Sequence, residues 1–226
     1  MIHCGDCKII LPEMDNITCI FADPPDNIGL KYHGYYDFVP NYFELLEEWV
    51  NLFIEKAPIV WISFNAKWTF EMGRICSELK DIKIKPCVQT FTFGQHNQHD
   101  LGNNYRPLWR FTRPWAKIYP DQIRVVSKRQ LNNDKRADPR GKVPGDVFDF
   151  PRVTGNGKQR RAWHPTQLHE GLVERCILMS TLEGDMVVDP FGGTGTTLRE
   201  CRRIKRDCEI IEIDPSYCWK IKGENT

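Results

Sequence analysis

The stretch MVVDPFGGTGTTLRECRRIKRDCEIIEI, residues 186–213, decides the fold of this chain. It begins with a short apolar run at 186–189 that ends in Asp189, and a glycine-rich turn follows. A helical pattern at 196–206 then leads to a second apolar run at 209–213. Apolar runs of this length are typical of strands buried on both faces, and strand, helix and strand in this order form a parallel unit. The stretch therefore predicts an α/β fold with a parallel sheet.

The turn within this stretch has the chemistry of a nucleoside site. Glycines let a ligand approach the backbone closely, and the N-terminus of the following helix offers free N–H groups. Glu212 lies 20 residues beyond Gly192, where an α/β fold places an acid that binds two ribose hydroxyls. No lysine follows Gly195, which favours a nucleoside without phosphates, and Asp189 is a candidate to hold an ammonium group. Ribose, ammonium and no phosphate together describe S-adenosylmethionine.

The rest of the chain continues the alternation of strands and helices. Apolar runs at 17–22 and 58–64 predict two more buried strands, and the patterns at 42–56 and 166–182 predict two amphipathic helices. With 226 residues, of which 41% are hydrophobic, the chain is large enough to bury one sizeable core. We therefore predict one domain over residues 1–226, with a mostly parallel central sheet and helices on both faces.

Residues 94–163 interrupt this alternation and carry most of the positive charge. Within them, residues 103–163 hold fifteen Lys and Arg but only five Asp and Glu, a net charge of +10 in a chain whose total is +1. Aromatic residues are interleaved with the cations, a combination that suits phosphates and unstacked bases. A solvated insertion is the alternative interpretation. We predict a segment that recognises nucleic acid, with phosphate contacts on Arg129, Lys135, Arg136, Arg140, Lys158, Arg160 and Arg161.

Cysteine and histidine patterns predict no metal site. The nine cysteines form no disulfide framework, and Cys4 and Cys7 make a CxxC pair without a second pair at zinc-ribbon spacing. His96 and His99 stand in a stretch rich in Gly and Asn that is typical of a polar loop. No run of the sequence resembles a signal peptide or a membrane span. We therefore expect reduced thiols, a cytoplasmic location and no membrane partner.

A second stretch, FADPPDNIGLKY at residues 21–32, raises a question about its turn. A predicted strand ends there against Asp23, Pro24, Pro25 and Asp26. Proline lacks an N–H and ends ladder pairing, so a strand terminator with two solvated acids is one interpretation. A site that uses the carboxylates is the other, and the turn alone does not decide between them.

Four motifs together resemble the DNA amino-methyltransferases, the enzymes that methylate adenine N6 or cytosine N4. They are DPPD at 23–26, WHPTQLHEGLVERCI at 163–177, DPFGGTGTT at 189–197 and EIIEIDPSY at 209–217. Their order resembles the β-type members of the family, and residues 144–167 resemble phage-type members. The resemblance covers nearly the whole chain. It implies a Rossmann-like class I methyltransferase fold, S-adenosylmethionine as cofactor and DNA as partner, in a bacterial or phage-infected host cell, and it leaves a homodimer open.

The resemblance assigns catalysis to the turn at residues 23–26. An exocyclic amine is a poor nucleophile because its lone pair is delocalised into the ring, and two acceptors for its hydrogens turn that lone pair toward the methyl group. Asp23 would supply a carboxylate and Pro24 a carbonyl, which Pro25 helps to hold rigidly. Asp26 stands where the family usually has an aromatic ring that stacks on the flipped base. Rings that would substitute for it are Tyr32, Tyr35 and Tyr36.

The resemblance also implies a set of cofactor contacts. Glu212 would bind the ribose hydroxyls, Asp6 would approach the adenine, and Asp189 with the turn after it would meet the methionine and adenosine parts. Many members continue the HPTQ element with Lys-Pro, where this chain has Leu168 and His169. The full predicted set is Asp6, Asp23, Thr166, Gln167, Asp189, Phe191, Gly192, Gly193, Thr194, Gly195, Thr196 and Glu212.

The first residue of the catalytic motif bears on the target base. Members that act on adenine mostly begin this motif with Asp and cytosine-N4 members mostly with Ser, so Asp23 predicts methylation of adenine N6. Cytosine N4, an RNA substrate, and a catalytically dead DNA-binding protein that keeps the fold are the alternatives. Asp26 favours the last of these, whereas an intact Asp23 and Glu212 speak against it.

Overall fold

The computed structural model describes residues 1–91, 98–155 and 157–224. Its strands are β1 (Ile2–Cys4), β2 (Cys19–Ala22), β3 (Ile59–Ser63), β4 (Lys83–Lys85), β5 (Val88–Thr90), β6 (Tyr105–Thr112), β7 (Val147–Asp149), β8 (Met186–Asp189) and β9 (Asp207–Glu212). Its helices are α1 (Cys7–Ile10), α2 (Tyr42–Lys56), α3 (Thr69–Glu78), α4 (Lys128–Leu131), α5 (Glu170–Ser180), α6 (Thr196–Arg203) and α7 (Pro215–Glu224).

The described strands form one sheet in the order β1-β9-β8-β2-β3-β6-β5-β7, and β4 also pairs with β6. The run from β1 to β3 in that order is parallel throughout. β6 is antiparallel to β3 and to β5, so the sheet is parallel on one side and mixed on the other. The mostly parallel sheet predicted from the sequence is confirmed.

Helices cover both faces of this sheet because its central strands are apolar on both sides. All of β2 and β3 except Ser63 is apolar, and every residue of the two strands is buried. Ile20 of β2 packs into a cluster with α2 and α3, whereas Phe21 packs into a second cluster with α5 and α6. Successive side chains of a strand point to opposite faces, so one short run serves both clusters.

Element boundaries follow the predictions in most places. The helix at 42–56 and the strand at 186–189 are confirmed residue for residue. The helix predicted at 166–182 is shorter at both ends, since α5 begins at Glu170. The reason is a side-chain cap: Gly171 donates its N–H to Nδ1 of His169 at 3.1 Å, which fixes the helix start after that histidine.

The basic segment at 94–163 contains strand β6 of the sheet, which the composition of the segment did not indicate. Strand β6 pairs with β3 over residues 108–112, and its Leu108 and Phe111 are buried. Its Pro107 stays within the ladder because its carbonyl accepts the N–H of Phe64 at 3.1 Å. The strand was missed because proline and two arginines interrupt its apolar pattern. After Thr112 the segment returns to the sheet in β7, which pairs with β5. The role of the segment in recognition stays a prediction.

Candidate active site

A cavity of about 850 Å³ opens at the carboxyl ends of the parallel strands. Ligands of open α/β sheets bind at this edge because the loops that follow neighbouring strands come together there. Four acids among the predicted site residues line it: Asp6 after β1, Asp23 after β2, Asp189 at the end of β8 and Glu212 at the end of β9. The fold therefore brings carboxylates from both ends of the sequence to one cavity.

The glycine-rich turn after β8 lies directly against β9. Gly192 donates its N–H to the carbonyl of Ile211 at 2.7 Å, and a Cβ at Gly192 would stand 3.3 Å from that oxygen. Gly195 has a φ of +71°, and a Cβ there would come within 2.7 Å of Ile221. Gly195 therefore requires glycine, and Gly192 leaves little room for a side chain. The other residues of the turn that line the cavity are Phe191, Gly193, Thr194 and Thr196.

Glu212 is held as a fixed pair of acceptors at the wall of the cavity. Its Oε2 accepts the N–H of Gly193 at 2.7 Å, and its Oε1 accepts the N–H of Asp214 at 2.9 Å. Burial raises the pKa of this carboxyl, and the two backbone donors oppose the rise. Each oxygen keeps a further lone pair, so the carboxylate accepts two hydroxyl groups side by side. This arrangement fits the diol of a ribose.

Asp189 is buried beneath the turn, and each of its oxygens has one donor. Phe191 donates its N–H to Oδ1 at 2.9 Å, and Thr197 donates its hydroxyl to Oδ2 at 2.5 Å. Burial raises the pKa of Asp189 to about 7, and the negative charges of Asp23 and Glu212 add to the rise. A buried carboxyl among carboxylates is stabilised as an anion by a cationic ligand. The cavity therefore fits the ammonium, sulfonium and ribose groups of S-adenosylmethionine.

Other predicted cofactor residues reach the cavity from its rim. Asp6 caps α1, where its Oδ1 accepts the N–H of Lys8 at 2.8 Å. Gln167 uses its side-chain amide within the chain: its Oε1 accepts the N–H of Arg161 at 2.8 Å, and its Nε2 donates to the carbonyl of Gln159 at 2.6 Å. Gln167 therefore anchors the loop before α5. Both Gln167 and Thr166 line the cavity.

A cation that the sequence did not reveal pairs with the two acids of the turn at residues 23–26. Arg106 of β6 donates from Nη2 to Oδ1 of Asp23 at 2.7 Å and from Nη1 to Oδ2 of Asp26 at 2.8 Å. Its Nε donates to the hydroxyl of Ser63 at 2.6 Å. Burial raises the pKa of Asp23, Arg106 opposes the rise, and Asp26 adds to it. The two acids at the turn are therefore an ion-paired cluster rather than solvated strand terminators.

The backbone carbonyls of the same turn differ in whether they accept a hydrogen bond. Tyr42 of α2 donates its hydroxyl to the carbonyl of Pro25, and Trp68 donates its Nε1–H to the carbonyl of Asp26 at 2.8 Å. No donor among residues 1–91, 98–155 and 157–224 reaches the carbonyl of Pro24. Side-chain donors thus fix the carbonyls of Pro25 and Asp26, whereas the carbonyl of Pro24 keeps its acceptor capacity.

The three candidate stacking tyrosines lie in a loop that covers the cavity. The rings of Tyr32 and Tyr35 stack on each other with centroids 4.6 Å apart and planes at 7°. Tyr36 is 60% exposed, and all three line the cavity. The carboxylate of Asp37 accepts the N–H groups of Ile28 and Leu30, which holds the loop closed on itself. Tyr32 and Tyr35 already have a ring partner in each other, so a base would have to displace one to stack on the other.

The predicted phosphate-binding residues divide into two groups. Arg136 pairs with Asp134 at 2.9 Å, Arg140 with Asp138 at 3.1 Å and Arg161 with Glu224 at 2.5 Å. Arg160 donates to the carbonyls of Arg161 and Pro165. By contrast, three exposed cations make no ion pair within the described part of the chain: Arg129, Lys135 and Lys158. The second group offers unpaired charge to a phosphate backbone.

The cysteines are reduced, and Cys4 is the exposed one among them. Burial raises the pKa of Cys7 and of Cys19 to about 12 and that of Cys87 to about 11. Within the described ranges, no group of three His, Cys, Asp or Glu side chains is placed to hold a metal ion. His96, one of the two histidines considered above, lies outside the described residues. The helices within those ranges are too short or too polar to cross a bilayer.

Comparison with known proteins agrees with this geometry. The sequence profile of a DNA methylase family, N6_N4_Mtase, matches residues 17–223. The type II methyltransferase M2.DpnII of Streptococcus pneumoniae is 48% identical to this chain, over 96% of the chain and 85% of that protein. The DNA adenine methyltransferase YhdJ of Escherichia coli strain K12 is 31% identical over 96% of the chain and 79% of that protein.

Solved structures share the fold at lower sequence identity. The PvuII DNA methyltransferase, described as cytosine-N4-specific, has a TM-score of 0.73 at 17% identity, over 98% of this chain and 84% of that chain. M1.HpyAVI in complex with S-adenosylmethionine has a TM-score of 0.64 at 18% identity, over 99% of this chain and 98% of that chain. These likenesses confirm the predicted Rossmann-like class I methyltransferase fold.

Proposed function

Because the chain belongs to the family of DNA methylases that modify adenine N6 or cytosine N4, we propose that it transfers the methyl group of S-adenosylmethionine to adenine N6 in DNA. One observation carries this proposal: the Asp23 carboxylate lines the acidic cavity on a turn whose next carbonyl, that of Pro24, accepts no hydrogen bond from the described residues. Two neighbouring acceptors match the two hydrogens of a primary exocyclic amine. A base has to leave the duplex to reach them.

The cofactor of this family is S-adenosylmethionine. When bound, it supplies an electrophilic methyl group on a sulfonium sulfur. We assign the ribose hydroxyls to Glu212, whose two oxygens are fixed by backbone donors, and the ammonium group to Asp189. Asp6 at the start of α1 is the acid we assign to the adenine end of the same cavity.

The protein's part in the reaction is to prepare the amine. Asp23 and the Pro24 carbonyl each accept one N–H hydrogen, which draws the nitrogen out of conjugation and aims its lone pair at the methyl carbon. A nitrogen–carbon bond forms while the carbon–sulfur electron pair returns to sulfur. Asp23 is the nearest base for the proton that the methylated nitrogen then releases. Preorganised acceptors of this kind lower the barrier because no reorganisation is needed when charge develops.

Adenine is favoured over cytosine by two observations. The catalytic motif begins with Asp23, as it mostly does in adenine-directed members. YhdJ, which matches 96% of the chain, is named a DNA adenine methyltransferase.

One reaction identifies the target base. The protein is incubated with mixed-sequence duplex DNA and with S-adenosylmethionine that carries a labelled methyl group. Nucleoside mass spectrometry of the digested DNA is expected to find the label in N6-methyladenine. An Asp23→Ala variant run in parallel gives the background. Label in N4-methylcytosine alone would contradict the choice of adenine, and absence of label in both bases would contradict the proposed activity.

Cofactor affinity is expected to depend on pH through Asp189. Its pKa of about 7 means that the carboxyl is mostly neutral at pH 5.5 and half ionised at pH 7. The anion is the form that attracts an ammonium group, so affinity should rise roughly tenfold over this interval, with proton release on binding. Calorimetry in two buffers of different ionisation enthalpy measures both quantities.

Two variants control the pH experiment. Asp189→Asn should bind more weakly and lose the pH dependence. Asp185→Asn is the matched control, because Asp185 precedes the same strand and its carboxylate accepts the N–H of Leu182 instead. An unchanged pH profile in Asp189→Asn would remove Asp189 from the site.

DNA binding is expected to rest on the unpaired cations of the basic segment. Neutralising Arg129 and Lys135 together to Gln should reduce the slope of log affinity against log salt by about 2, since each phosphate contact contributes about 1. Fluorescence anisotropy over a salt series measures the slope. Lys80→Gln with Lys83→Gln removes the same charge from two exposed lysines outside the segment, and an equal loss of slope there would contradict the assignment.

A further inference from the structure

Arg106 has the features of a built part of the active site. Its side chain is about one-fifth exposed, and all three guanidinium nitrogens donate hydrogen bonds. The recipients are carboxylates of the catalytic turn and Ser63 of β3, the strand beside β6. A guanidinium that bridges two carboxylates fixes both in direction, because its donors lie in one plane.

The charge of this cluster sums to −1, from two carboxylates and one cation. Without Arg106, the negative charge of Asp26 would disfavour the Asp23 anion with no cation to oppose it. Without Asp26, Arg106 would neutralise Asp23 alone and leave the cluster with no net charge. The pair Asp26 and Arg106 thus leaves Asp23 with the net negative charge that a developing cation on the amine nitrogen requires.

The two oxygens of the Asp26 carboxylate are satisfied unequally. Its Oδ2 accepts from Arg106 at 2.8 Å and from Nδ2 of Asn65 at 3.5 Å, while its Oδ1 is buried with no hydrogen-bond donor among the described residues. A buried acceptor without a partner costs stability, and a carboxylate costs more than a neutral group. The buried oxygen without a donor favours a role for Asp26 in the site itself.

We propose that Arg106, anchored by Asp26, is the positioning residue that holds the Asp23 carboxylate in place as an anion for the target amine, so that Asp26 and Arg106 act as a matched pair. The inference rests on the proposed function, since the amine is its substrate. Arg106 engages Oδ1 of Asp23, and in the proposed geometry Oδ2 and the Pro24 carbonyl accept the two amine hydrogens.

Charged and titratable groups from several elements face Asp23, and each influences the pKa of its carboxyl. Arg106 favours the anion, and Asp26, on the same turn, disfavours it. Three further groups interact with the charge of Asp23. They are Asp189 at the end of β8, the phenol of Tyr32 in the loop that covers the cavity, and the phenol of Tyr42 in α2. The contribution of Arg106 is separated from the others because only its own variants remove it.

The test measures the titration of Asp23 directly and the rate separately. Protein labelled with ¹³C at the Asp carboxyl carbons, with Asp23→Asn for assignment, gives the Asp23 pKa by NMR. Arg106→Met should raise that pKa by about one unit or more, and Asp26→Asn should lower it. In methyl-transfer assays, kcat should fall about 100-fold in Arg106→Met, as a misplaced reacting group predicts, with the KM for cofactor nearly unchanged.

The double variant and the pH profile separate positioning from a structural role. Asp26→Asn with Arg106→Met should lose less kcat than the product of the two single losses, because the partners act as a unit. The acid limb of the pH–rate profile should move to higher pH in Arg106→Met. If that variant does not fold, Arg106→Lys, which keeps the charge but loses the planar fork, should give a smaller loss in the same direction.

Arg110→Met is the matched control, since Arg110 lies on the same strand and has no carboxylate partner within the described residues. It should leave the Asp23 pKa unchanged. An Asp23 pKa that does not respond to the loss of Arg106, or losses of kcat that simply multiply, would overturn the inference. A wild-type protein that transfers no methyl group while its Asp23 still titrates as expected would overturn the proposed function instead.

Discussion

Replacing Asp23 by alanine is expected to lower kcat for methyl transfer by about 100- to 10,000-fold, the range in which positioned acid–base groups contribute. In the proposed mechanism, the carboxylate is one of two acceptors for the amine and the base for its proton. Its loss leaves Pro24 as the remaining acceptor and Arg106 paired to Asp26 alone. Cofactor affinity should stay nearly the same, because the assigned cofactor groups belong to Asp189 and Glu212. Radiolabelled methyl transfer under single-turnover conditions measures the first quantity and calorimetry the second.

Asp15→Ala is the control for this variant, since Asp15 is an exposed carboxylate far from the turn. It should transfer methyl groups at the wild-type rate. Turnover of Asp23→Ala within a few-fold of the wild type would contradict the assignment of the whole turn, including the part given to Pro24.

Replacing Glu212 by alanine is expected to weaken S-adenosylmethionine binding at least ~10-fold, because hydrogen bonds to a charged group contribute roughly 1.5–3 kcal/mol each. Two effects act together. The ribose hydroxyls lose their acceptor, and the N–H groups of Gly193 and Asp214 lose the carboxylate that fixes them. The turn that forms the cavity wall is therefore expected to loosen. Calorimetric titration of the folded variant with S-adenosylmethionine measures the loss.

Glu209→Ala is the matched control, because Glu209 lies on the same strand and its carboxylate contacts His3 instead. It should bind the cofactor as the wild type does. Glu212→Gln adds a second comparison: its amide nitrogen would face one of the two backbone donors, so it should also bind more weakly. Unchanged affinity in Glu212→Ala would contradict the ribose assignment.

Local sequence patterns were sufficient to predict the parts of the fold that depend on neighbouring residues. The strand, turn and helix around Asp189 follow from an apolar run, glycines and a periodic pattern within a few residues. The start of α5 was predicted too early because a histidine acts as its cap, and histidine is uncommon in that role. Strand β6 was missed because it is a sheet strand in which proline and arginines break the apolar alternation.

In the candidate site too, local sequence indicated some residues, whereas contacts between residues far apart in the chain were not predicted. The carboxylates of Asp23 and Glu212 end apolar strands, so position along the chain indicated them. Arg106 stood among fifteen basic residues and was assigned to the general positive charge of its segment. Its partner Asp23 is 83 residues away, and the pairing depends on β6 lying beside β3. The available signal was an arginine alternating with apolar residues, which is uncommon in a buried strand unless it is paired.

The burial of most cysteine thiols determines where a fluorescent reporter of cofactor binding can be attached. Thiolates are the reactive form of cysteine, and a pKa near 12 leaves almost none at neutral pH. Cys7 and Cys19 are therefore poor targets for a maleimide dye, whereas Cys4 is exposed. In the parallel pairing of β1 with β9, Cys4 is the register partner of Glu212. A fluorophore attached at Cys4 would thus stand one strand spacing from the assigned ribose acceptor, and stopped-flow emission would follow cofactor entry and release without any change to the sequence.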